Sequence, residues 1–371
     1  MSTRQIIAVS VVLFLNFGIH FSLFAEDDKP VYVDARALTI IGQVVTDSEK
    51  PYQRANPEKI GLSESISAKC RQATGIAVVF KTDTRNLYLR WTTSSLKNLG
   101  VNSGALLQKG LDIYIKKDGE WRYAASAAPE MKGECKNHYK KVLGSMPMGE
   151  KEVLIFLPPF DSVHSLLIGT DPKAKIEATT NPFKKRIVFH GSSITHGASA
   201  SRPGMTYVSR YQRESGLQCF NLGFSGQAKL QIEFAQYLST LEADAFVFDV
   251  FSNPNAKEIK TRFNAFVKEI RKNHKNTPLV FVQTIRREAR NFNEAVEKHE
   301  AEKQSAAEQV VKEAMKSDKN IYFIDSDGFL GEDSMATVDG THPNDLGFTR
   351  MLEKLIPALN KIFRQHGILT E

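Results

Sequence analysis

The hydrophobic pattern of the chain changes at Asn181-Pro182, and no other feature of the sequence limits the possible folds as strongly. After this point, strand-like runs alternate with amphipathic helical segments, and most of the runs are apolar throughout. Such runs are typical of parallel strands whose two faces are both covered by helices. The five runs are 186–190, 219–224, 245–251, 278–285 and 321–325. They predict a doubly wound α/β domain with its ligand site at the carboxyl ends of the strands.

The N-terminal half has a different pattern. From about residue 31 to residue 176, short runs of alternating apolar and polar residues are separated by turn residues. A period of two is typical of antiparallel strands that bury one face, and Lys117-Asp118-Gly119 has the composition of a tight hairpin turn between two such runs. With 371 residues, the chain is long enough to bury two separate cores. We therefore predict an antiparallel β-sandwich over residues 26–180, followed by the α/β domain over residues 181–371.

The first 25 residues differ in composition from the rest. Arg4 precedes a stretch, 6–25, without Lys, Arg, Asp or Glu, and the chain turns abruptly polar at Glu26. This arrangement predicts a secretory signal peptide, 1–25, cleaved after Ala25. Because about 20 apolar residues also suffice to span a bilayer, an uncleaved membrane anchor is the alternative. Cleavage leaves a periplasmic or secreted protein without stable membrane association.

Charge and cysteine content limit the classes of partner. The formal net charge is +7, and the two signs alternate along the chain rather than forming a basic stripe. This pattern favours solubility and argues against binding of nucleic acid. The three cysteines allow at most one internal disulfide, for which Cys70 and Cys135 are the candidates, and the alternative is three small buried side chains. The sequence indicates no oligomeric state.

A pair of serines follows the first strand of the predicted α/β domain, in Gly191-Ser192-Ser193-Ile194-Thr195. An exposed strand end is where a nucleophile is expected in such a domain. A serine hydroxyl is a weak nucleophile until a base takes its proton, so the motif requires a histidine that is held by a carboxylate.

A candidate for this base lies near the end of the chain. Asp339 and His342 are three residues apart in a turn ahead of the last predicted helix. At this spacing the carboxylate can accept a hydrogen from one ring nitrogen while the other nitrogen faces the serine. The alternative is that Asp339 and Asn344 cap the turn and the helix, with His342 exposed to solvent.

Two other strand ends carry candidate donors for an oxyanion hole. Gly226 lies in the glycine-containing loop after the second strand, where backbone N–H groups are accessible. Asn253 and Asn255 follow the third strand, and a side-chain amide from this segment is a further donor. An Asn before Pro is also an ordinary turn signal, so the segment has a purely structural alternative.

Taken in their order along the chain, the four segments resemble the blocks of the SGNH, or GDSL-type, family of serine esterases. The resemblance implies that Ser193 is the nucleophile, His342 the general base and Asp339 the residue that orients the base. It also implies an oxyanion hole formed by the Ser193 amide, Gly226 and Asn253. Neither a metal nor an organic cofactor is implied.

The chain departs from the usual family pattern in two places. Ser192 stands where the family usually has Asp, at a position that is not catalytic. The segment from Asp249 to Asn253 replaces the usual third block, which makes Asn255 a rival of Asn253. A β-sandwich ahead of Gly-Ser-Ser-Ile-Thr-His-Gly looks like the two-domain SGNH hydrolases of bacterial carbohydrate-degrading systems. In that subgroup an Asp-x-x-x-Asn third block is expected, which favours Asn253.

Four other polar residues near the strand ends are weaker candidates. His190 and His196 flank the serines, but no Cys or carboxylate cluster accompanies them in the sequence, so pocket roles are expected rather than metal ligation. Asp325 and Asp327 follow the fifth strand and are alternatives to Asp339, although capping is the expected role.

The leading functional hypothesis is a serine esterase that removes a small acyl group, expected to be acetyl, from an acylated carbohydrate substrate. A lipid esterase, either a lysophospholipase or an acetylhydrolase, is the alternative within enzymes, and it requires an apolar groove for the acyl chain. A carbohydrate-binding protein with an inactive hydrolase domain is the alternative outside enzymes. Intact Ser193, Asp339 and His342 argue against the loss of activity.

Overall fold

The computed structural model describes residues 29–44, 50–61, 63–95 and 100–370. Within these residues the strands form two antiparallel sheets in the N-terminal half and one parallel sheet in the C-terminal half. This arrangement confirms the predicted fold class, a doubly wound α/β domain preceded by an antiparallel β-sandwich. The predicted signal peptide, 1–25, lies outside the described residues.

The strands of the N-terminal half are β1 (Val31–Asp34), β2 (Thr39–Ile41), β3 (Ala77–Thr82), β4 (Leu87–Thr93), β5 (Leu111–Lys117), β6 (Glu120–Ala127), β7 (Asn137–Leu143), β8 (Lys151–Phe156), β9 (Val163–Thr170) and β10 (Ile176–Ala178). One sheet has the order β1-β9-β4-β7, and the other has the order β10-β3-β8-β5-β6 with β2 beside β3. Alternate side chains of both sheets, among them Phe80, Trp91 and Ile113, form one buried core. The short helices α1 (Pro57–Ile60), α2 (Glu64–Cys70) and α3 (Ala105–Lys109) lie between strands.

The predicted hairpin is present between β5 and β6. Lys117 lies opposite Glu120, and the two residues between them, Asp118 and Gly119, have φ angles of 53° and 82°. Positive φ at both central residues matches the twist of an antiparallel hairpin, and Asp-Gly reaches this conformation at little cost. The local sequence therefore determines the register of this strand pair.

The strands of the C-terminal half are β11 (Lys184–Gly191), β12 (Leu217–Gly223), β13 (Ala245–Asp249), β14 (Leu279–Val282) and β15 (Ile321–Ile324). The helices are α4 (Ser193–His196), α5 (Tyr207–Ser215), α6 (Ile232–Ser239), α7 (Ala256–Arg271), α8 (Glu294–Ser317) and α9 (Asp345–Gln365). The sheet order is β12-β11-β13-β14-β15, with α6, α7 and α8 packed on one face and α5 and α9 on the other. Because the order reverses at β11, a crevice opens at the carboxyl ends of β11 and β13.

Two glycines let α4 pack directly on these strand ends. A Cβ atom on Gly191 would lie 2.3 Å from Thr195 Oγ1, and one on Gly223 would lie 2.2 Å from the backbone nitrogen of His196. A side chain at either position would therefore push α4 off the sheet. The close approach fixes the height of Ser193, the first residue of α4, above the crevice.

The two halves are joined by a buried arginine. Arg54, which is completely buried, donates to the Asn221 carbonyl oxygen at 3.0 Å and to the Lys69 carbonyl oxygen at 2.9 Å. Its guanidinium carbon lies 4.5 Å from the centre of the Phe224 ring. Burial lowers the pKa of Arg54 to about 10. Residues of the N-terminal half thus extend the apolar core of the α/β half, including Ile60 and Ile66.

All three cysteines are free and buried. The disulfide considered for Cys70 and Cys135 is therefore wrong, and the alternative of small buried side chains is confirmed. Cys70 packs in the core shared by the two halves, whereas the Cys135 thiol donates to the Met131 carbonyl oxygen at 2.8 Å. In the described part of the chain, no helix has the length and hydropathy needed to cross a membrane.

Candidate active site

The segment after β11 presents Ser193 at the crevice. Ser192 caps α4, because its Oγ accepts from the Ile194 amide at 3.1 Å. The same hydroxyl donates to Asp249 Oδ2 at 2.9 Å, which ties the start of α4 to the end of β13. Ser192 is fully buried, whereas Ser193 beside it is half-buried and lines the cleft. Ser192 therefore supports the start of α4, while Ser193 is accessible from the cleft.

Asp249 supports the serine segment from below. Its carboxylate also accepts from Thr195 Oγ1 at 2.9 Å, and its backbone oxygen accepts from the Ser192 amide at 3.1 Å. Burial raises the pKa of Asp249 to about 6, although the hydrogen bonds from Ser192 and Thr195 oppose this rise. Sequence reasoning noted Asp249 only as part of an altered block and missed this supporting role.

Ser193, His342 and Asp339 are joined by hydrogen bonds. Ser193 Oγ lies 2.8 Å from His342 Nε2, and His342 Nδ1 lies 2.8 Å from Asp339 Oδ2. This is the order in which a carboxylate orients an imidazole that accepts the serine proton. The structure thus brings together three residues that are up to 149 positions apart in the sequence.

Asp339 is held as an acceptor from several directions. Its Oδ1 accepts from the backbone amides of Thr341 at 3.0 Å and His342 at 2.8 Å. Burial raises the pKa of Asp339, but the side-chain and backbone hydrogen bonds from His342 outweigh this effect and lower the pKa to about 2. Asp339 therefore remains a carboxylate over the whole range in which a histidine titrates. Asp339 thus caps its own turn through Oδ1 while Oδ2 faces the imidazole, and Asn344 caps α9 by accepting from the Gly347 amide at 2.9 Å.

The loop that carries His342 is anchored by Glu288. The carboxylate of Glu288 accepts from the backbone amides of Ala336 at 2.8 Å and Thr337 at 3.1 Å. The Ala289 amide donates to the Gly340 carbonyl oxygen at 2.9 Å, and the Val338 amide donates to the His342 carbonyl oxygen at 2.9 Å. Because both ends of the loop are bonded, the position of the imidazole does not depend on the triad alone.

The remaining predicted site residues occupy different environments. Gly226 and Asn253 both line the cleft that contains Ser193 and His342. The buried Oδ1 atom of Asn253 has no hydrogen-bond partner within the described residues. Asn255, in contrast, is an exposed helix cap, because its Oδ1 accepts from the Glu258 amide at 2.9 Å and Glu258 returns a bond to its backbone. Of the two asparagines, Asn253 is the one that lines the cleft.

The Asn253 segment rests on a buried charge cluster that sequence reasoning missed. Lys303 Nζ and Arg287 Nη2 donate to the Ser252 carbonyl oxygen at 3.0 Å and 2.8 Å. Glu300 Oε1 accepts from Lys303 at 2.8 Å and from Arg287 at 3.1 Å. Burial lowers the pKa of Lys303, and the charge of Arg287 adds to this effect. Two cations on one carbonyl oxygen fix the peptide that precedes Asn253.

The cleft above these residues has a volume of about 1130 Å³ and receives side chains from both halves of the chain. The N-terminal half contributes the polar residues Gln72, Asn102 and Gln108. The large apolar groups on its walls are few, with Phe160 and Val296 the bulkiest. Ligand sites commonly form where two domains meet, with a few polar groups that fix the orientation of the ligand. Asn102 contacts the triad directly, and nothing in its local sequence indicated this.

The four weaker candidates take part in hydrogen bonds within the fold. His190 and His196 are fully buried, and their ring nitrogens donate to the carbonyl oxygens of Leu222 and Pro159, at 2.9 Å and 2.8 Å. Burial lowers the pKa of His190 to about 4. Asp325 is exposed and accepts from the Asp327 amide at 3.2 Å, as in a turn. Over the described ranges, no group of three or more His, Cys, Asp or Glu side chains is placed to hold a metal ion.

Two family models match the chain. The model of the GDSL-like lipase/acylhydrolase family matches residues 184–360, and the model of the N-terminus of SGNH hydrolase-type esterases matches residues 31–176. None of the curated proteins matches the chain.

Several solved structures are similar over almost the whole chain. A protein from Bacteroides ovatus ATCC 8483 described as a GDSL-like lipase is 40% identical, with a TM-score of 0.86, over 90% of this chain and 98% of that one. The salicylyl-acyltransferase SsfX3 of a tetracycline biosynthetic pathway is 22% identical, with a TM-score of 0.69, over 91% and 98% of the two chains. A family two carbohydrate esterase from Cellvibrio japonicus is 13% identical, with a TM-score of 0.58, over 91% and 99%. The last two structures, at their low identity, show only that their fold is the same as that of this chain.

Proposed function

This chain belongs to the GDSL-like lipase/acylhydrolase family of SGNH hydrolases, and from this premise we propose that it removes acetyl groups from carbohydrate. The observation that carries the proposal is the hydrogen-bonded series of Ser193, His342 and Asp339 at a cleft lined by amide and hydroxyl side chains from both halves of the chain. Amide and hydroxyl side chains on the cleft walls are suitable partners for sugar hydroxyl groups. A long acyl chain requires an apolar groove instead.

In the proposed reaction, Ser193 Oγ attacks the ester carbonyl carbon as His342 Nε2 takes the serine proton. The negative charge that develops on the carbonyl oxygen is stabilised by the amides of Ser193 and Gly226 and by the side-chain amide of Asn253. The protonated His342 then returns its proton to the leaving sugar oxygen, which leaves an acyl group on Ser193. Water, deprotonated by the same imidazole, attacks this acyl-enzyme. The bond from the acyl carbon to Ser193 Oγ breaks, the imidazole returns the proton to Oγ, and acetic acid leaves and ionises to acetate.

The assignment of Asn253 is tested by comparing two alanine variants. We expect Asn253→Ala to lower kcat by about 10²–10³-fold with little change in KM, because it removes a donor that acts on the developing oxyanion. Asn255→Ala removes a helix cap, so it is expected to lower the free energy of unfolding by about 1 kcal/mol and to leave kcat unchanged. Steady-state kinetics and denaturant titration of both variants measure these effects. A loss of kcat in Asn255→Ala alone would transfer the role to that residue.

The acyl preference is tested with 4-nitrophenyl esters of increasing chain length. We expect kcat/KM to fall steeply from acetyl to butyryl to octanoyl esters. A small acyl site cannot bury the added methylenes, so the roughly 0.8 kcal/mol that burial of each would provide is not gained, and the longer chains also meet steric conflict. Ser193→Ala provides the background rate of ester hydrolysis. A preference for octanoyl esters would favour the lipid esterase.

The carbohydrate part of the proposal is tested by the release of acetate from a panel of acetylated polysaccharides. A family two carbohydrate esterase shares the fold, and this likeness supports the choice of panel. Acetate release by the wild type but not by Ser193→Ala is the expected result. Binding of a polysaccharide without hydrolysis of any ester, by a correctly folded protein, would favour a carbohydrate-binding protein.

A further inference from the structure

Asn102, from the N-terminal half, reaches the histidine and the carboxylate of the triad. Its Nδ2 lies 3.0 Å from Asp339 Oδ2 and 3.0 Å from His342 Nδ1, across separations of 237 and 240 positions. Within the described residues, the hydrogen bonds from the N-terminal half to these two side chains all come from the Asn102 amide. The pair is partly open to solvent, with 30% of the Asp339 side chain and 19% of the His342 side chain exposed.

The orientation of the amide is set by its own neighbours. Ser103 Oγ donates to Asn102 Oδ1 at 3.4 Å, so the Nδ2 end of the amide is turned toward the triad. Ser103 Oγ in turn accepts from the Ser199 amide at 3.4 Å, and its carbonyl oxygen accepts from Gln108 Nε2 at 2.9 Å. The loop is thus attached both to α3 and to the segment that follows α4.

The chemistry of the three atoms determines where the amide hydrogen goes. When His342 Nδ1 carries the hydrogen that it donates to Asp339, this nitrogen has no lone pair to accept another bond. The Asn102 amide therefore donates to Asp339 Oδ2, the same oxygen that receives the imidazole hydrogen. A carboxylate oxygen has room for both donors, and the second donor restrains its rotation away from the ring.

We propose that Asn102 is a positioning residue, through which the sandwich domain holds the Asp339–His342 pair in its reactive geometry. This inference rests on the proposed function, because it assigns Asn102 to the same triad. Its consequence is that the α/β half by itself lacks one of the hydrogen bonds that restrain the triad.

Charged groups near His342 come from its own loop and from the lining of the cleft. Asp339 lies on the same loop, and Glu288, which precedes α8 in the chain, binds the backbone of that loop. The cleft that His342 lines also contains the ionisable side chains Arg287, His299, Glu300 and Lys303. A carboxylate at position 102 would therefore be a new charge close to the imidazole, in addition to Asp339.

Two substitutions at this position test the proposal. Asn102→Ala is expected to lower kcat for 4-nitrophenyl acetate by about tenfold, with KM unchanged, because the small ester does not extend to the cleft wall. Asn102→Asp keeps the size of the side chain but adds a negative charge beside the imidazole. It is expected to raise the pKa of His342 by about 1 unit or more, seen as an upward shift of the acidic limb of kcat/KM.

The matched control is Asn137→Asp, which adds the same charge to an exposed position on β7 of the same half. It is expected to leave both the pKa of His342 and kcat unchanged. Titration of the His342 imidazole by NMR, assigned with His342→Gln, follows the pKa without any need for turnover. A wild-type kcat in Asn102→Ala, or an unchanged His342 titration in Asn102→Asp, overturns the proposal. An inactive wild type would instead refute the proposed function, while the NMR titration still tests the contact of Asn102.

Discussion

Ser193→Ala is expected to lower kcat by about 10⁶-fold and to leave the fold intact. The loss is large because members of a serine triad act as a unit, and removal of the nucleophile removes the whole covalent route. The fold is expected to persist because the hydroxyl lies at the cleft, where its hydrogen bond is to His342 rather than to a core residue. Steady-state kinetics with 4-nitrophenyl acetate and a thermal unfolding curve measure the two effects.

Ser192→Ala is the matched control for the neighbouring serine. It removes a buried hydroxyl that caps α4 and donates to Asp249, so we expect a lower unfolding free energy, by about 1–2 kcal/mol, with activity retained. Inactivity of Ser192→Ala together with full activity of Ser193→Ala would show that the neighbouring serine is the nucleophile.

His342→Ala is expected to be nearly as damaging as the loss of Ser193, because no other base in the described contacts reaches Ser193 Oγ. In the wild type, kcat/KM should rise with pH through roughly 6–7 as a histidine loses its proton and becomes able to accept one from the serine. Asp339→Asn should retain more activity than His342→Ala, since the orienting carboxylate contributes less than the base itself. A pH-independent rate over this range would remove His342 from the mechanism.

Asp249 has to be separated from His342 in such a profile. Burial raises its pKa to about 6, so it titrates close to the same range. Protonation of Asp249 would weaken the acceptor for Ser192 and Thr195 below α4, and would also lower the rate in acid. Asp339, with a pKa of about 2, is already ionised over this range and therefore adds no step to the pH profile. Direct NMR titration of the imidazole assigns the limb to one of the two groups.

Local sequence predicted the fold well where a single segment carries the information. The apolar runs from β11 to β15 indicate strands that are buried on both faces, and Asp118-Gly119 determines its own hairpin. The run predicted over 245–251 is shortened to Ala245–Asp249, because the backbone and carboxylate of Asp249 bind the serine segment after β11. Such an end depends on a partner elsewhere in the chain, which a local pattern does not contain.

The same distinction applies to the candidate site. Ser193 and the Asp339–His342 spacing stand out because each lies in a short motif with its own chemistry. Asn102 carries no such signal, since its partners in the triad are more than two hundred positions away. The cluster of Arg287, Glu300 and Lys303 carries no local signal either, because charged residues normally face solvent. These residues gain their roles from the way the two halves and α8 meet.

Arg54 limits how such a chain can be recombined. No carboxylate pairs with it among the described ion pairs, and its charge is compensated by carbonyl oxygens, including that of Asn221, and by the Phe224 ring. A chimera that joins this sandwich to an unrelated α/β domain would lose two of these partners and bury a guanidinium with too few hydrogen bonds. Leaving a buried charge uncompensated costs roughly 3–5 kcal/mol, which is a large part of the stability of an ordinary domain. We therefore expect the two halves to be inherited together, and exchanged between lineages as one unit.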